Sequence, residues 1–166
     1  MNYLTITGTS NLLAHNKAWD GITKDVQVRF GDYGDWASVL NDDEDRPVLW
    51  VVFLEDILSP DRLMDDDLSS VQDDLNIILQ PLASHLKSIQ SPTLVAFSSW
   101  RPESIVSQVR FPSVWKRLAE LFRKRLYDSA ENHPNLHLIP LDEVFAEQGL
   151  IKCFDTRNYY TSRCKL

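Results

Sequence analysis

Ser10 is the first residue in this chain whose type and place could support chemistry. It lies in GTSN, directly after the apolar run MNYLTIT. A serine just past a strand and near a helix N-terminus gains backbone N–H donors that can stabilise an oxyanion. The same position suits a helix cap, with Ser10 or Asn11 as the capping residue. A serine nucleophile also needs a base and a group to orient that base. The histidines are His15, His85, His133 and His137. His85 falls in a long helical pattern, His137 in a strand, His133 in the turn before that strand, and His15 beyond the first turn of a short helix. A Ser-His-Asp triad therefore lacks its middle member.

Two further groups carry polar chemistry. Glu55 and Asp56 end the most apolar run of the chain, where they could act as a carboxylate pair, bind a metal or cap the next segment. The terminal stretch FDTRNYYTSRCKL brings Asp155, Arg157 and Asn158 within four positions. Arg157 could hold a phosphate or carboxylate bidentately, or pair with Asp155. The acidic runs DDED and MDDD lack the alternation and glycine of a calcium loop. GDYGDW has two glycines but no following Lys-Ser/Thr, so it is a poor phosphate loop. Cys153 and Cys164 stand outside any CxxC or His-Cys pattern, which offers no zinc site and suits free thiols. No metal and no cofactor is expected.

The elements that must position these residues can be read from periodicity. MNYLTIT, VQVRF (Val26 to Phe30), the unbroken run Val48 to Leu54, Thr93 to Phe97 and NLHLIPL are five strand signals. Short helices are expected over LLAHNKAWDGI, WASVL and DEVFAEQGL. Between the third and fourth strands Leu68, Val71, Leu75, Ile78, Leu82, Leu86 and Ile89 recur every three or four residues, the apolar stripe of a long helix, with Pro81 inside it. A second long helix follows the fourth strand, with Val114, Leu118, Leu121, Phe122 and Leu126 inward. Strands alternating with helices imply parallel pairing and right-handed crossovers. The expectation is a single α/β domain over 1–166, a three-layer α/β/α sandwich of flavodoxin-like or SGNH-hydrolase-like type. Its five-stranded parallel sheet takes the order 2-1-3-4-5. In such sheets the working site lies beyond the carboxyl ends of the strands. That rule gathers GTSN, GDYGDW, LEDILSPD and SSWRPES on one rim, and FDTRNYY can fold back to it.

The bulk numbers exclude several classes. A net charge of −7 argues against nonspecific binding to nucleic acid or to an anionic membrane. No apolar run approaches a membrane span, and the N-terminus has no signal-peptide pattern, so a cytoplasmic protein is expected. The exception to the acidic character is the second long helix, which carries Lys116, Arg117, Arg123, Lys124 and Arg125. That face is either a solvated helix surface or a landing place for an acidic partner, such as a carrier-protein helix.

Three stretches, VLWVVFLEDIL, LHLIPLDEVFAEQGL and FDTRNYYTSRCKL, together resemble the N-terminal domain of FkbH-like proteins, which has an SGNH-hydrolase-like fold. In those proteins the domain precedes a phosphatase-like HAD domain, and the best-known members load a glyceryl unit onto an acyl carrier protein in polyketide pathways. The resemblance places Ser10 at the nucleophile position and Gly34 at the oxyanion-hole glycine. Where the fold has its asparagine donor, this chain has Glu55 and Asp56. Where the Asp-x-x-His block has its histidine, Asp155-Thr-Arg-Asn158 has asparagine, which cannot take a proton at neutral pH. The resemblance thus implies a degenerate hydrolase site with a rim of Ser10, Asn11, Asp155, Arg157 and Asn158, supporting glyceryl or acyl transfer. It also implies an acyl carrier protein or HAD-type domain as partner, received through Lys116, Arg117, Arg123 and Lys124. The HAD nucleophile motif has no counterpart in these residues, so the chain is either excised from a longer one, which its basic polar tail favours, or a stand-alone relative. Two alternatives stay open: an active serine esterase or acyltransferase using Ser10, and a noncatalytic flavodoxin-like interaction module.

Overall fold

The computed structural model describes residues 3–8, 27–30, 37–41, 44–57, 68–99 and 112–149. Five strands form one parallel sheet: β1 (Tyr3–Gly8), β2 (Gln27–Phe30), β3 (Val48–Phe53), β4 (Thr93–Ser98) and β5 (Leu136–Pro140). Their order is β2-β1-β3-β4-β5, as the alternation of strand and helix signals predicts. β3 lies at the centre and is apolar on both faces. Val48, Trp50 and Val52 point into one core, and Val51 and Phe53 into the other.

Helices cover both faces. α2 (Leu68–Ser88) and α3 (Pro112–Asn132) share the larger core with a 3-10 turn at Ser38–Asn41. α4 (Leu141–Gln148) packs Leu141 and Phe145 on the opposite face, beside Ile6, Val51, Phe53 and Ala96. The α2 stripe behaves as its spacing requires, with Leu75, Ile78, Leu82 and Leu86 buried; Ile89 is buried just past the helix end. In α3, Leu118, Phe122 and Leu126 are buried at four-residue spacing, and Phe122 meets Phe97 of β4 edge to face.

Two local readings change. The segment expected as a short helix over WASVL is described from Ala37 onward and forms the 3-10 turn, which buries Val39 and Leu40. Leu54 does not continue β3. It opens a single helical turn, α1 (Leu54–Ile57), while its side chain stays buried in the larger core.

At the amino ends of the strands the loops are tied together by side chains. Asp45 Oδ1 accepts the backbone N–H of Gln90 at 3.1 Å and of Ser91 at 2.8 Å. Asn135 Nδ2 donates to the carbonyl of Ile89 at 2.9 Å. These bonds satisfy backbone groups left over where α2 ends, and they fix the register in which β3, β4 and β5 begin.

Candidate functional site

A parallel sheet of this order has a topological switch point between β1 and β3, because the chain leaves those two neighbours in opposite directions. The crevice forms at their carboxyl ends. Gly8 closes β1 there, paired with Val51. A Cβ at Gly8 would stand 2.1 Å from the Val51 carbonyl oxygen, so no side chain fits. The glycine lets the two strand ends close up, and the chain leaves β1 within two residues of Ser10. Across the switch point, α1 starts directly from β3 and carries Glu55 and Asp56 in its single turn. The backbone therefore brings these two carboxylate-bearing positions to the carboxyl edge, as the sequence pattern requires.

Ser10, Asn11, Gly34, Asp155, Arg157 and Asn158 lie outside the described residues, and so does His15. The described histidines stand away from the carboxyl edge. His85 is buried in α2, three residues before its end, and His137 is exposed on β5. His133, between α3 and β5, is hydrogen-bonded through Nδ1 to the Ser129 carbonyl at 2.9 Å.

The best-defined side-chain arrangement at this edge was not among the residues singled out from sequence. Ser98 ends β4, Ser99 follows it, and Asp142 sits in the first turn of α4, directly beyond β5. The β4–β5 register sets Phe97 opposite Pro140, which brings the two strand ends side by side. Ser98 Oγ donates to Asp142 Oδ1 at 2.6 Å. Asp142 Oδ2 accepts both the Ser99 hydroxyl, at 2.8 Å, and the Ser99 backbone N–H, at 3.1 Å. The Ser99 carbonyl in turn accepts the indole N–H of Trp115, near the start of α3, at 3.1 Å. One carboxylate thus fastens the end of β4 to the start of α4, and a tryptophan fastens it to α3. Ser98 and Ser99 are only 2% and 7% exposed, so the serine ends of these bonds are shielded from water, while Asp142 is half-buried.

The signal for this network was present but incomplete. Ser98 and Ser99 stand where a strand ends, and an acidic residue opens the helix after the next strand. What periodicity cannot give is the pairing of residues 43 and 44 positions apart. Among the described residues no three metal-ligating side chains converge, and no described helix is long and apolar enough to cross a membrane.

The cationic residues of α3 are placed by the same geometry. A helix that connects parallel strands runs back along the sheet, so its first turns lie at the carboxyl edge. The Trp115 bond to Ser99 marks that level. Lys116 and Arg117 follow it and are exposed, as is Lys124 two turns on. Arg123 is half-buried and meets Glu143 of α4 at 3.6 Å. Arg125 is hydrogen-bonded to the Asn76 side chain of α2. The strip is therefore divided: Lys116, Arg117 and Lys124 face solvent, while Arg123 and Arg125 link α3 to its neighbours.

No protein-family model matches the chain, and no curated protein matches it. Among solved structures it is similar to the crystal structure of the N-terminal part of the protein BF1531 from Bacteroides fragilis, containing a phosphatase domain and complexed with Mg. The superposition has a TM-score of 0.70 at 13% identity and covers 99% of this chain and 47% of that one. At that identity the likeness shows the fold alone. This chain spans about half the length of the structure it matches.

Proposed function

We propose that this chain is an α/β domain that supports glyceryl or acyl transfer beside a phosphatase-type HAD domain, in polyketide or related secondary-metabolite biosynthesis. Its carboxyl edge would hold the substrate, and α3 would receive an acyl carrier protein. The observation that carries the reading is the asymmetry of the structural match. Nearly all of this chain superposes on about half of a protein that contains a phosphatase domain. On this reading the chain would act beside a second domain, in presentation rather than complete catalysis.

Two features of the chain support the finer reading. By the resemblance, Asn158 would stand where the Asp-x-x-His block has its base, which would leave proton abstraction from Ser10 without a partner there. The exposed Lys116, Arg117 and Lys124 give an otherwise acidic molecule one cationic helix surface, beginning at the level of Ser99. An acidic helix laid along α3 would bring its cargo to that edge. Glu120 interrupts the strip, so its pull is local and short in range.

The test is a titration of isotope-labelled chain with an acyl carrier protein, with and without an added phosphatase-type domain. Amide shifts should cluster on the first four turns of α3. Reversing charge at Lys116, Arg117 and Lys124 together should weaken binding about tenfold, on the order of 1.4 kcal/mol for three solvent-facing charges. Absence of shifts even with the second domain present would overturn carrier recognition, as would unchanged affinity of the triple variant. Labelling of Ser10 by a fluorophosphonate probe would instead support the active esterase or acyltransferase.

A further inference from the structure

Along α3 the exposed charges alternate in sign at every fourth residue. Lys116, Glu120, Lys124 and Asp128 form one row, and each of them is exposed. Residues four apart are neighbours on a helix surface, so the row is a continuous ridge about 18 Å long. Arg117 and Tyr127 flank it near its two ends. Tyr127 is 43% exposed, one of the few large apolar side chains so placed among the described residues.

The needs of an isolated helix do not account for this order. A helix favours acids near its N-terminus and bases near its C-terminus. α3 has no acid in its first turn and no base in its last, and its exposed bases Lys116 and Arg117 lie near the start, with Asp128 and Glu131 near the end. Pairing along the ridge is also poor. A Glu four residues before a Lys is the better orientation, and only Glu120 with Lys124 has it. Among the described residues none of the four ridge side chains is ion-paired, whereas Arg123 beside them reaches Glu143.

We propose that α3 docks on α3 of a second copy of this chain, the two helices antiparallel about a two-fold axis. Turning the row end for end exchanges Lys116 with Asp128 and Glu120 with Lys124. Every charge in the ridge then meets its opposite: Lys116 faces Asp128 of the second copy, Glu120 faces its Lys124, and symmetry repeats both contacts. A parallel arrangement in register would set each charge against itself. Rows of residues four apart are ridges along which helices pack, so the two rows can run side by side over their whole length. The same exchange carries Arg117 to the exposed ring of Tyr127, a cation–π contact. The ridge is charged and narrow, so the pair forms and parts reversibly, unlike the larger and more apolar interfaces of permanent dimers. The same lysines would receive a carrier protein, so pairing and carrier binding would exclude each other. The pairing does not rest on carrier binding and is measured on the chain alone.

Sedimentation velocity of the whole chain, up to about 1 mM, tests this at roughly 0.1 M salt. There a Debye length of about 10 Å screens the mutual repulsion of two acidic molecules but not contacts between touching side chains. The wild type should shift toward dimer with concentration, and at about 1 M salt, with screening near 3 Å, the shift should disappear. Lys116→Glu with Lys124→Glu makes the ridge wholly acidic, and Glu120→Lys with Asp128→Lys makes it wholly basic. Each double variant alone should associate at least about tenfold more weakly than the wild type, and an equimolar mixture should recover association as a mixed pair. The substituted positions are exposed, so both variants should fold, which circular dichroism checks. A wild type that stays monomeric, a double variant that pairs as the wild type does, or two variants that fail to pair when mixed would each overturn the proposal.

Discussion

Replacing Asp142 by alanine tests whether the network at the carboxyl edge holds this fold together. The substitution removes the acceptor of three hydrogen bonds, from Ser98 Oγ at 2.6 Å, Ser99 Oγ at 2.8 Å and Ser99 N at 3.1 Å. A bond to a charged group contributes about 1.5–3 kcal/mol, so three independent ones would sum to roughly 5–9 kcal/mol. They are not independent. All three converge on one carboxylate, and Asp142 is only half-buried, so water can reach part of the vacated space. The serines are better shielded, and leaving buried donors unsatisfied costs about 1–3 kcal/mol each. A net loss of about 2–4 kcal/mol is expected. With a urea slope near 2 kcal/mol/M for a domain of this size, the unfolding midpoint should fall by about 1–2 M, read by circular dichroism. A cycle with Ser98→Ala and Ser99→Ala separates the network from a general effect at α4. With both hydroxyls gone, only the Ser99 N–H remains, and Asp142→Ala should cost less than half as much. A loss below about 0.5 kcal/mol in the native background, or the same loss in both backgrounds, would refute the reasoning.

Gly8→Ala should destabilise by several kcal/mol or prevent folding, because its Cβ would lie 2.1 Å from a backbone oxygen that cannot move without breaking the β1–β3 pairing. Soluble yield and urea midpoint report it, and near-native stability would show that β1 ends farther from β3. Phe122→Ala removes a fully buried ring from between α3 and β4, at a cost of about 3–5 kcal/mol. At roughly 2–4 °C per kcal/mol the melting temperature should drop by about 10 °C, and a shift under about 3 °C would contradict the packing. Asp45 has its carboxyl pKa held below the usual 3.8, chiefly by the Ser91 backbone N–H and then the Ser91 side chain. Its contribution is present above that value and lost as pH falls through the lower folded value, so Asp45→Asn should flatten the stability curve below about pH 4. An equally steep curve in the variant would count against the clamp.

The sheet was legible because its strands obey different rules on different faces. The unbroken apolar run beginning at Val48 could only be a strand covered twice, and the β3 pairings on both sides agree. The helical stripes were equally plain, and the inward positions Leu118, Phe122 and Leu126 of α3 are all buried. Where the reading shifted, an apolar residue served a different backbone. Leu54 has the composition of the preceding strand, yet it is buried just as well from the first turn of α1. Hydrophobicity reports burial there, not the hydrogen-bond pattern. His85 was legible as helical but not as inward-facing, because the stripe was traced through apolar residues alone. Ser98, Ser99 and Asp142 were each placed near the correct edge, but their union depends on the register of β4 against β5, which local periodicity does not contain.

That union also narrows where chemistry at this edge can occur. Ser98 has its hydroxyl proton directed at Asp142 and is nearly inaccessible, so an incoming carbonyl or phosphoryl group cannot approach its oxygen. Ser99 is held by both hydroxyl and backbone to the same carboxylate. A base with its acceptor positions filled by structural donors is a fastener, and removing it would loosen the edge before it altered a proton transfer. That leaves the neighbouring strand ends as the open part of this edge. Strands are spaced by about 4.8 Å, so the β1–β3 switch point lies on the order of 7 Å from β4. That distance is short enough for the Ser98–Asp142 brace to form a rigid wall beside the crevice. Gly8 draws the other two strand ends together, and α1 presents two acidic positions across from it. Substitutions in the brace should therefore lower the urea midpoint and loosen this wall together.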